Sequence, residues 1–171
     1  MVAIQKRVKA FSDSVIPARL IFDKVNIGLV RKGLRVIYEP MFKKEVFWSY
    51  IEKYSDRVKL VDFELVTPNM ANISGVLPDD LKNFAKETNA TKTNLKLESD
   101  PESHLKLDSD NKTLSGLVDY SSEGGGNISV KISGMKRRLQ TAKSVKEIEL
   151  ADIEVEGNPE DVTRLLKDLM K

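Results

Sequence analysis

The chain has 171 residues, enough for one domain with a buried core, and its composition excludes several kinds of site. It contains no cysteine and one histidine, which excludes disulfides, thiolate zinc sites and the usual multi-histidine metal sites. No apolar run approaches the roughly 20 residues of a membrane span, and the N-terminus lacks an uninterrupted apolar region. We therefore expect a cytoplasmic protein with a single domain, residues 1–171. Residues 1–16 are either part of this domain or an N-terminal extension.

The net charge of +2 conceals a strong segregation of charge along the chain. Residues 1–59 contain 13 Lys/Arg against 6 Asp/Glu, giving +7, whereas residues 60–130 contain 6 against 12, giving −6. Residues 131–171 contain 9 against 8, and six of these bases lie at 131–146 without an acid, followed by seven acids at 147–161 without a base. Such blocks indicate either complementary surfaces or a basic face for a polyanion.

The first 38 residues have apolar positions that fit more than one structure. In residues 2–16 the apolar side chains recur at helical spacing. The segment fits either a basic amphipathic helix or an irregular strand, and either one ends at Pro17. Residues 20–29 and 34–38 contain alternating apolar positions, and the segment Arg-Lys-Gly lies between them. This pattern predicts a β-hairpin.

The next part of the chain predicts a helix followed by a strand. Residues 41–55 place six apolar side chains on one stripe: Phe42, Val46, Phe47, Tyr50, Ile51 and Tyr54. Trp48 lies beside this stripe, and we expect it to seal a core edge rather than to mark a binding site. Residues 58–66 alternate as a strand, with a change of phase that predicts a bulge near Leu60.

Shorter elements follow. A helix is predicted at 78–89 because Pro78 and two acids form its first turn. Residues 93–98 and 105–108 are predicted as short strands.

Residues 114–134 predict a second hairpin, with strands on either side of three consecutive glycines, Gly124 to Gly126. A phosphate cradle would need a helix directly after the glycines, whereas a strand is predicted there. We therefore interpret the glycines as a flexible hairpin tip.

The last part of the chain is less regular. Residues 135–146 fit either a loop or an edge strand with protective lysines. Residues 147–156 alternate as a strand, and Asn158 with Pro159 predicts a final helix at 158–170. The predicted fold is α+β, with an antiparallel or mixed sheet of six to eight strands and about three helices packed on it.

Catalysis has little support in the sequence. His104 lies in a polar turn, so we expect it to be exposed rather than part of a catalytic triad. Five acids lie on predicted strands and could bind magnesium if two or three of them met beside a lysine: Asp62, Glu64, Glu98, Asp108 and Asp119. A metal-dependent nuclease is therefore the third hypothesis. No nucleotide-binding motif is present, and we expect neither a cofactor nor a metal.

The leading hypothesis is a non-enzymatic interaction module. It would join a protein partner or further copies of itself through charge-segregated surfaces, as a subunit of a larger assembly. The alternative is binding of RNA or single-stranded DNA by a basic face that combines Lys6–Arg35 with Lys131–Lys146. The residues expected to bind nucleic acid are Arg31, Lys32, Arg35, Lys131, Lys136, Arg137, Arg138 and Lys143.

Overall fold

The computed structural model describes residues 15–67 and 79–147, together with residues 2, 4, 11, 13, 158, 160, 163 and 164. The chain divides into two compact units. One contains Met1–Ile37 and Glu147–Lys171, and the other contains Tyr38–Lys146. We describe each unit by itself.

The described part of the first unit is dominated by one helix, α1 (Val15–Val30). This is a correction, because residues 20–29 were predicted as a strand of a hairpin. The apolar positions of this segment fit period two over a few residues. They also cover most of the circumference of a helix, and a window this short does not separate the two patterns.

The second unit begins with helix α2 (Lys44–Lys53) and strand β1 (Val58–Val66), which confirms the elements predicted at 41–55 and 58–66. The predicted bulge is also confirmed, since the register of β1 shifts between Val58 and Leu60. Helix α3 (Asp79–Glu87) and strand β2 (Lys92–Glu98) follow where they were predicted.

Helix α4 (Lys112–Tyr120) overturns the predicted strand at 114–120. Asn111 caps the helix, with its side-chain oxygen accepting a hydrogen bond from the backbone N–H of Leu114 at 3.1 Å. Leu114, Leu117 and Val118 then share a buried face at three-four spacing. Both Asn111 as an N-cap and this spacing are present in the sequence, but the same residues also fit period two, which predicts a strand.

Four strands form one antiparallel sheet in the described residues, not the six to eight that were predicted. The order is β2-β1-β3-β4, where β3 is Gly126–Ile132 and β4 is Leu139–Gln140. β4 shows that part of 135–146 is a short edge strand. The predicted strand at 105–108 is absent there, because that segment makes no ladder. Nearly all of the strand predicted at 147–156, nearly all of the helix predicted at 158–170 and most of 2–16 lie outside the described residues.

One core joins the inner face of the sheet to the helices α2 and α4, and α3 contributes the buried Ala85 to it. The Phe47 ring of α2 lies 6.3 Å from the Phe63 ring of β1. Trp48 is half-buried at the core edge, where its ring meets Phe47 edge to face at 5.0 Å. Burial of this apolar surface is the main stabilising term of the unit.

The three glycines form a buried junction between α4 and β3, not an exposed hairpin tip. Gly124 has φ +89°, which favours glycine. A Cβ on Gly125 would lie 2.3 Å from the Tyr120 ring, and one on Gly126 would lie 1.9 Å from the carbonyl oxygen of Glu64. The glycines are therefore required by close packing of α4 and β3 against their neighbours.

Candidate functional site

Helix α1 presents the largest group of exposed apolar side chains in the described residues. The helix begins beside Asp13, whose side-chain Oδ1 accepts a hydrogen bond from the backbone N–H of Val15 at 2.9 Å. Pro17 lies in the first turn, where its missing N–H would have no helical partner in any case.

The end of α1 is a Schellman motif centred on Gly33. The N–H of Leu34 donates to the carbonyl of Leu29 at 3.1 Å, and the N–H of Gly33 donates to Val30 at 3.0 Å. Gly33 adopts φ +66°, as this motif requires. The segment predicted as a hairpin turn is thus the end of a helix.

Asn26 fixes the chain that follows the helix. Its side-chain oxygen accepts a hydrogen bond from the N–H of Val36 at 2.7 Å, and its amide donates to the carbonyl of the same residue at 3.0 Å. Segment 34–37 is therefore held against the half-buried side of α1 within this unit.

The remaining surface of α1 is mainly apolar and exposed, and its charged residues are Arg19, Asp23 and Lys24. None of the sixteen residues of the helix is buried. The exposed fractions reach 51% at Leu20, 65% at Ile27 and 67% at Val30, and Ile21 and Val25 are also exposed. A helix that is apolar around most of its circumference is usually buried, so the exposed apolar side chains of α1 make it the candidate site of the described residues.

Three of the predicted basic residues lie at the end of this helix. Arg31, Lys32 and Arg35 follow α1 directly, and all three are exposed. They border the apolar surface with positive charge. The other five predicted residues belong to the Tyr38–Lys146 unit, so the predicted basic face is divided between the two units.

Two of those five residues have partners within their own unit. An Arg138 guanidinium nitrogen lies 3.8 Å from a carboxylate oxygen of Asp62 on β1. The ammonium group of Lys131 donates to the carbonyl of Met135 at 2.8 Å. Part of the charge segregation along the chain is thus balanced across the outer face of the sheet.

The other three basic residues, Lys136, Arg137 and Lys143, are exposed. Within the part of the chain that the structure describes, no ion pair joins them to an acid.

The predicted acids are spread over the Tyr38–Lys146 unit. Asp62 and Glu64 lie on the outer face of β1, and Asp119 on α4 pairs with Lys44 at 3.1 Å. No group of three or more potential metal ligands occurs among the described residues. His104 is exposed, as predicted.

One acid outside the predicted set has an altered pKa. Burial raises the pKa of the Glu39 carboxyl above its usual range, Lys92 lowers it in part, and the Glu64 charge adds to the rise. Lys92 also forms an ion pair with Glu64. Two carboxylates thus share one lysine near the end of β1.

The sequence did not point to the apolar residues of α1 as candidate functional residues, because their spacing predicts a hairpin. Two signals could have identified the helix: a glycine after two basic residues, as at a helix end, and few polar side chains between Leu20 and Val30. Side chains of a half-buried strand would alternate with polar ones.

Comparisons with known proteins add no family. No described helix is long and apolar enough to cross a membrane. No family model, curated relative or solved structure matches this chain.

Proposed function

We propose that this chain is a non-enzymatic interaction module, a subunit of a larger assembly, that binds a protein partner through α1. The observation that carries this proposal is the exposed apolar surface of α1, which includes Leu20, Ile27 and Val30. Covering such a surface would be favourable by roughly 25 cal/mol per Å² of apolar area removed from water.

The basic border of α1 defines the chemistry of the partner. Arg31, Lys32 and Arg35 are exposed beside the apolar surface. A matching partner has an apolar groove with acidic groups at its rim, since opposite charges across an interface favour encounter and register. The charge segregation of the sequence then contributes specificity, while α1 contributes the buried area.

Site-specific photo-crosslinking in cells tests this proposal. A photoreactive amino acid at Ile27 should give adducts of defined mass with another protein. The same group at Lys86, which is exposed on α3, is the matched control and should not give these adducts. Identical adducts from both positions would contradict a specific surface on α1.

Two substitutions test whether adduct formation depends on the apolar surface of α1. Leu20→Asp and Ile27→Asp should each reduce adduct formation at a reporter placed on Val30. Because neither side chain is buried, each should change the free energy of unfolding by less than about 0.5 kcal/mol. Thermal unfolding of the purified variants checks that the loss is not due to unfolding.

A second candidate function is binding of RNA or single-stranded DNA, which is favoured by the exposure of Lys136, Arg137 and Lys143. Fluorescence polarisation with labelled oligonucleotides at two salt concentrations tests it. Phosphate contacts predict weaker binding at the higher salt and a loss of affinity in Lys136→Glu and Arg137→Glu. An absence of binding at low salt would exclude this function.

A further inference from the structure

The sheet of the Tyr38–Lys146 unit has one long edge strand, β2. β2 has seven residues and contains neither proline nor glycine. Among the described residues, β1 is the only strand that pairs with it, and this pairing has no register shift. The opposite edge strand, β4, has only two residues. β2 is therefore the edge of this sheet that could accept another strand.

Backbone hydrogen bonds show which groups of β2 point away from β1. The N–H of Thr67 donates to the carbonyl of Thr91, and the N–H of Ser99 donates to the carbonyl of Lys59. Both bonds fit the register of the β1–β2 pairing, so the odd-numbered residues of β2 form the bonds to β1. The even-numbered residues direct their backbone N–H and C=O groups to the outer edge: Lys92, Asn94, Lys96 and Glu98.

We propose that β2 pairs antiparallel with β2 of a second copy of this chain, which joins the two sheets into one. This inference goes beyond the proposed function and does not depend on it, because the pairing uses residues of β2 and none of α1. The two-fold axis would pass beside Leu95, which faces its own copy, as in other isologous interfaces.

This register matches opposite charges. With Leu95 at the axis, Lys92 lies opposite Glu98 of the second copy, and symmetry repeats the pair. Within one chain Lys92 pairs with Glu64 and Glu98 pairs with Lys96, so the pair between copies would add to these ion pairs. Asn94 lies opposite Lys96, which completes the set of outward-facing residues. Cross-strand pairs of opposite charge are favourable, and like charges directly opposite each other are unfavourable.

Neighbouring registers are disfavoured by the same charges. A shift by two residues in one direction places Lys92 opposite Lys96, and a shift in the other direction places Lys96 opposite itself. A shift by one residue would place residues whose backbone N–H and C=O groups bond to β1 opposite residues whose backbone groups face the outer edge. The register with Leu95 at the axis is therefore the one that both the charges and the backbone groups favour.

The inner side of β2 supplies apolar contacts for the same pairing. Thr93, Leu95 and Leu97 are half-buried, and both leucines pack against the core of their own unit. In the proposed pairing, Thr93 lies opposite Leu97, and Leu95 meets its copy. The apolar layer beneath one sheet would thus continue beneath the other.

A single strand pair is a small interface. Stable complexes typically bury about 1,600 Å² in total, more than one pair of seven-residue strands provides. We therefore expect a dimer that forms and dissociates with concentration. Sedimentation velocity of the full chain over a concentration series should show a monomer–dimer equilibrium. A strict monomer at every concentration would overturn the proposal.

Lys96→Pro is the first test of the interface. The N–H of Lys96 points outward, so proline removes a bond to the second copy without removing one to β1. The variant should keep its thermal stability and lose the dimer. A dimer that persists in a folded Lys96→Pro variant would exclude β2 as the interface.

A charge exchange tests the register. Lys92→Glu and Glu98→Lys each place like charges opposite each other in a homodimer, so each should dimerise about tenfold more weakly than the wild type. When the two variants are mixed, every charged pair has opposite signs again, and a heterodimer should form. Failure of the folded variants to associate on mixing would overturn this register.

Ile27→Asp on α1 distinguishes this inference from the proposed function. The dimer should be unchanged in this variant, because α1 takes no part in the β2 pairing. If Ile27→Asp abolishes the dimer and Lys96→Pro does not, α1 is the self-association surface and the β2 proposal is wrong. Loss of the dimer in Lys96→Pro alone supports β2 whatever partner binds α1.

Discussion

The Tyr38–Lys146 unit and helix α1 use apolar residues in opposite ways. In the first, Phe47, Phe63 and Ile128 are fully buried between helices and sheet. In α1, no residue is buried, although the helix is rich in leucine, isoleucine and valine. Apolar content alone therefore does not distinguish a core from an exposed surface.

The difference lies in what surrounds each segment. On β1, Asp62 and Glu64 lie on one side, although Leu60 and Val66 on that side are also buried, and the other side is apolar and packs in one core with residues of the helices. In α1, few positions are polar, and segment 34–37 is held against one side by Asn26. The rest of α1 lacks a cover among the described residues, although its composition is typical of a buried helix.

Gly126→Val should have the largest effect and would disrupt the packed unit. A Cβ at this position would lie 1.9 Å from the carbonyl oxygen of Glu64, so β3 could not pair closely with β1. We expect a loss of more than about 4 kcal/mol in the free energy of unfolding, measured by urea denaturation. A stable Gly126→Val variant would contradict the close contact between these strands.

Tyr120→Phe should have the next largest effect. The buried Tyr120 hydroxyl donates to the carbonyl of Val66 at 2.7 Å, and burial raises the pKa of this phenol. Removing the hydroxyl leaves a buried acceptor without this donor, so we expect a loss of about 1–3 kcal/mol. Tyr54→Phe, on a half-buried ring, is the control and should lose less.

Gly28→Ala should stabilise α1 instead. A Cβ at Gly28 meets nothing within 4 Å, and glycine is unfavourable inside a helix by about 1 kcal/mol relative to alanine. We expect a gain of about 0.5–1 kcal/mol in helix stability, seen as increased helical signal in circular dichroism during heating. A loss of stability would indicate that Gly28 is already in close contact.

Glu39→Gln should have the smallest effect and a defined pH dependence. Because the pKa of Glu39 is raised in the folded state, the folded chain holds this proton more tightly than the unfolded chain. The stabilising effect of this group is complete below its unfolded pKa and is lost as the pH rises through its folded pKa. The variant should therefore be slightly more stable than the wild type at pH 7.

The difference should disappear in acid, where both side chains are neutral. Thermal unfolding of wild type and variant between pH 4 and pH 7 measures it. Loss of the attraction to Lys92 opposes the effect, but burial is the larger cause of the raised pKa. A variant less stable than the wild type at pH 7 would show that the lysine contact dominates.

Local patterns predicted several elements of the packed unit. The stripe at 41–55, the acids at the start of 78–89 and the alternation at 58–66 each indicated the correct element, and the bulge in β1 followed from a change of phase. The apolar residues of each of these segments fit the period of only one kind of secondary structure. The local preference for that structure agrees with the residues that the fold buries.

Where two periods fit the same residues, the sequence interpretation was wrong. At 114–120 the capping by Asn111 and the core contacts of Leu117 favour a helix. At 20–29 the Schellman motif at Gly33 likewise favours a helix. In both cases a strand was predicted because alternate residues were apolar over a short window.

The sequence by itself determined the absence of cysteine, the segregated charges and the α+β character. Only the tertiary structure decided that the glycines form a buried junction, that Arg138 meets Asp62, and that α1 remains exposed. Each of these depends on which distant segment lies beside a residue, and local periodicity carries no information about such neighbours. Burial and pairing are properties of the packed chain, and they decide which apolar and charged residues remain exposed.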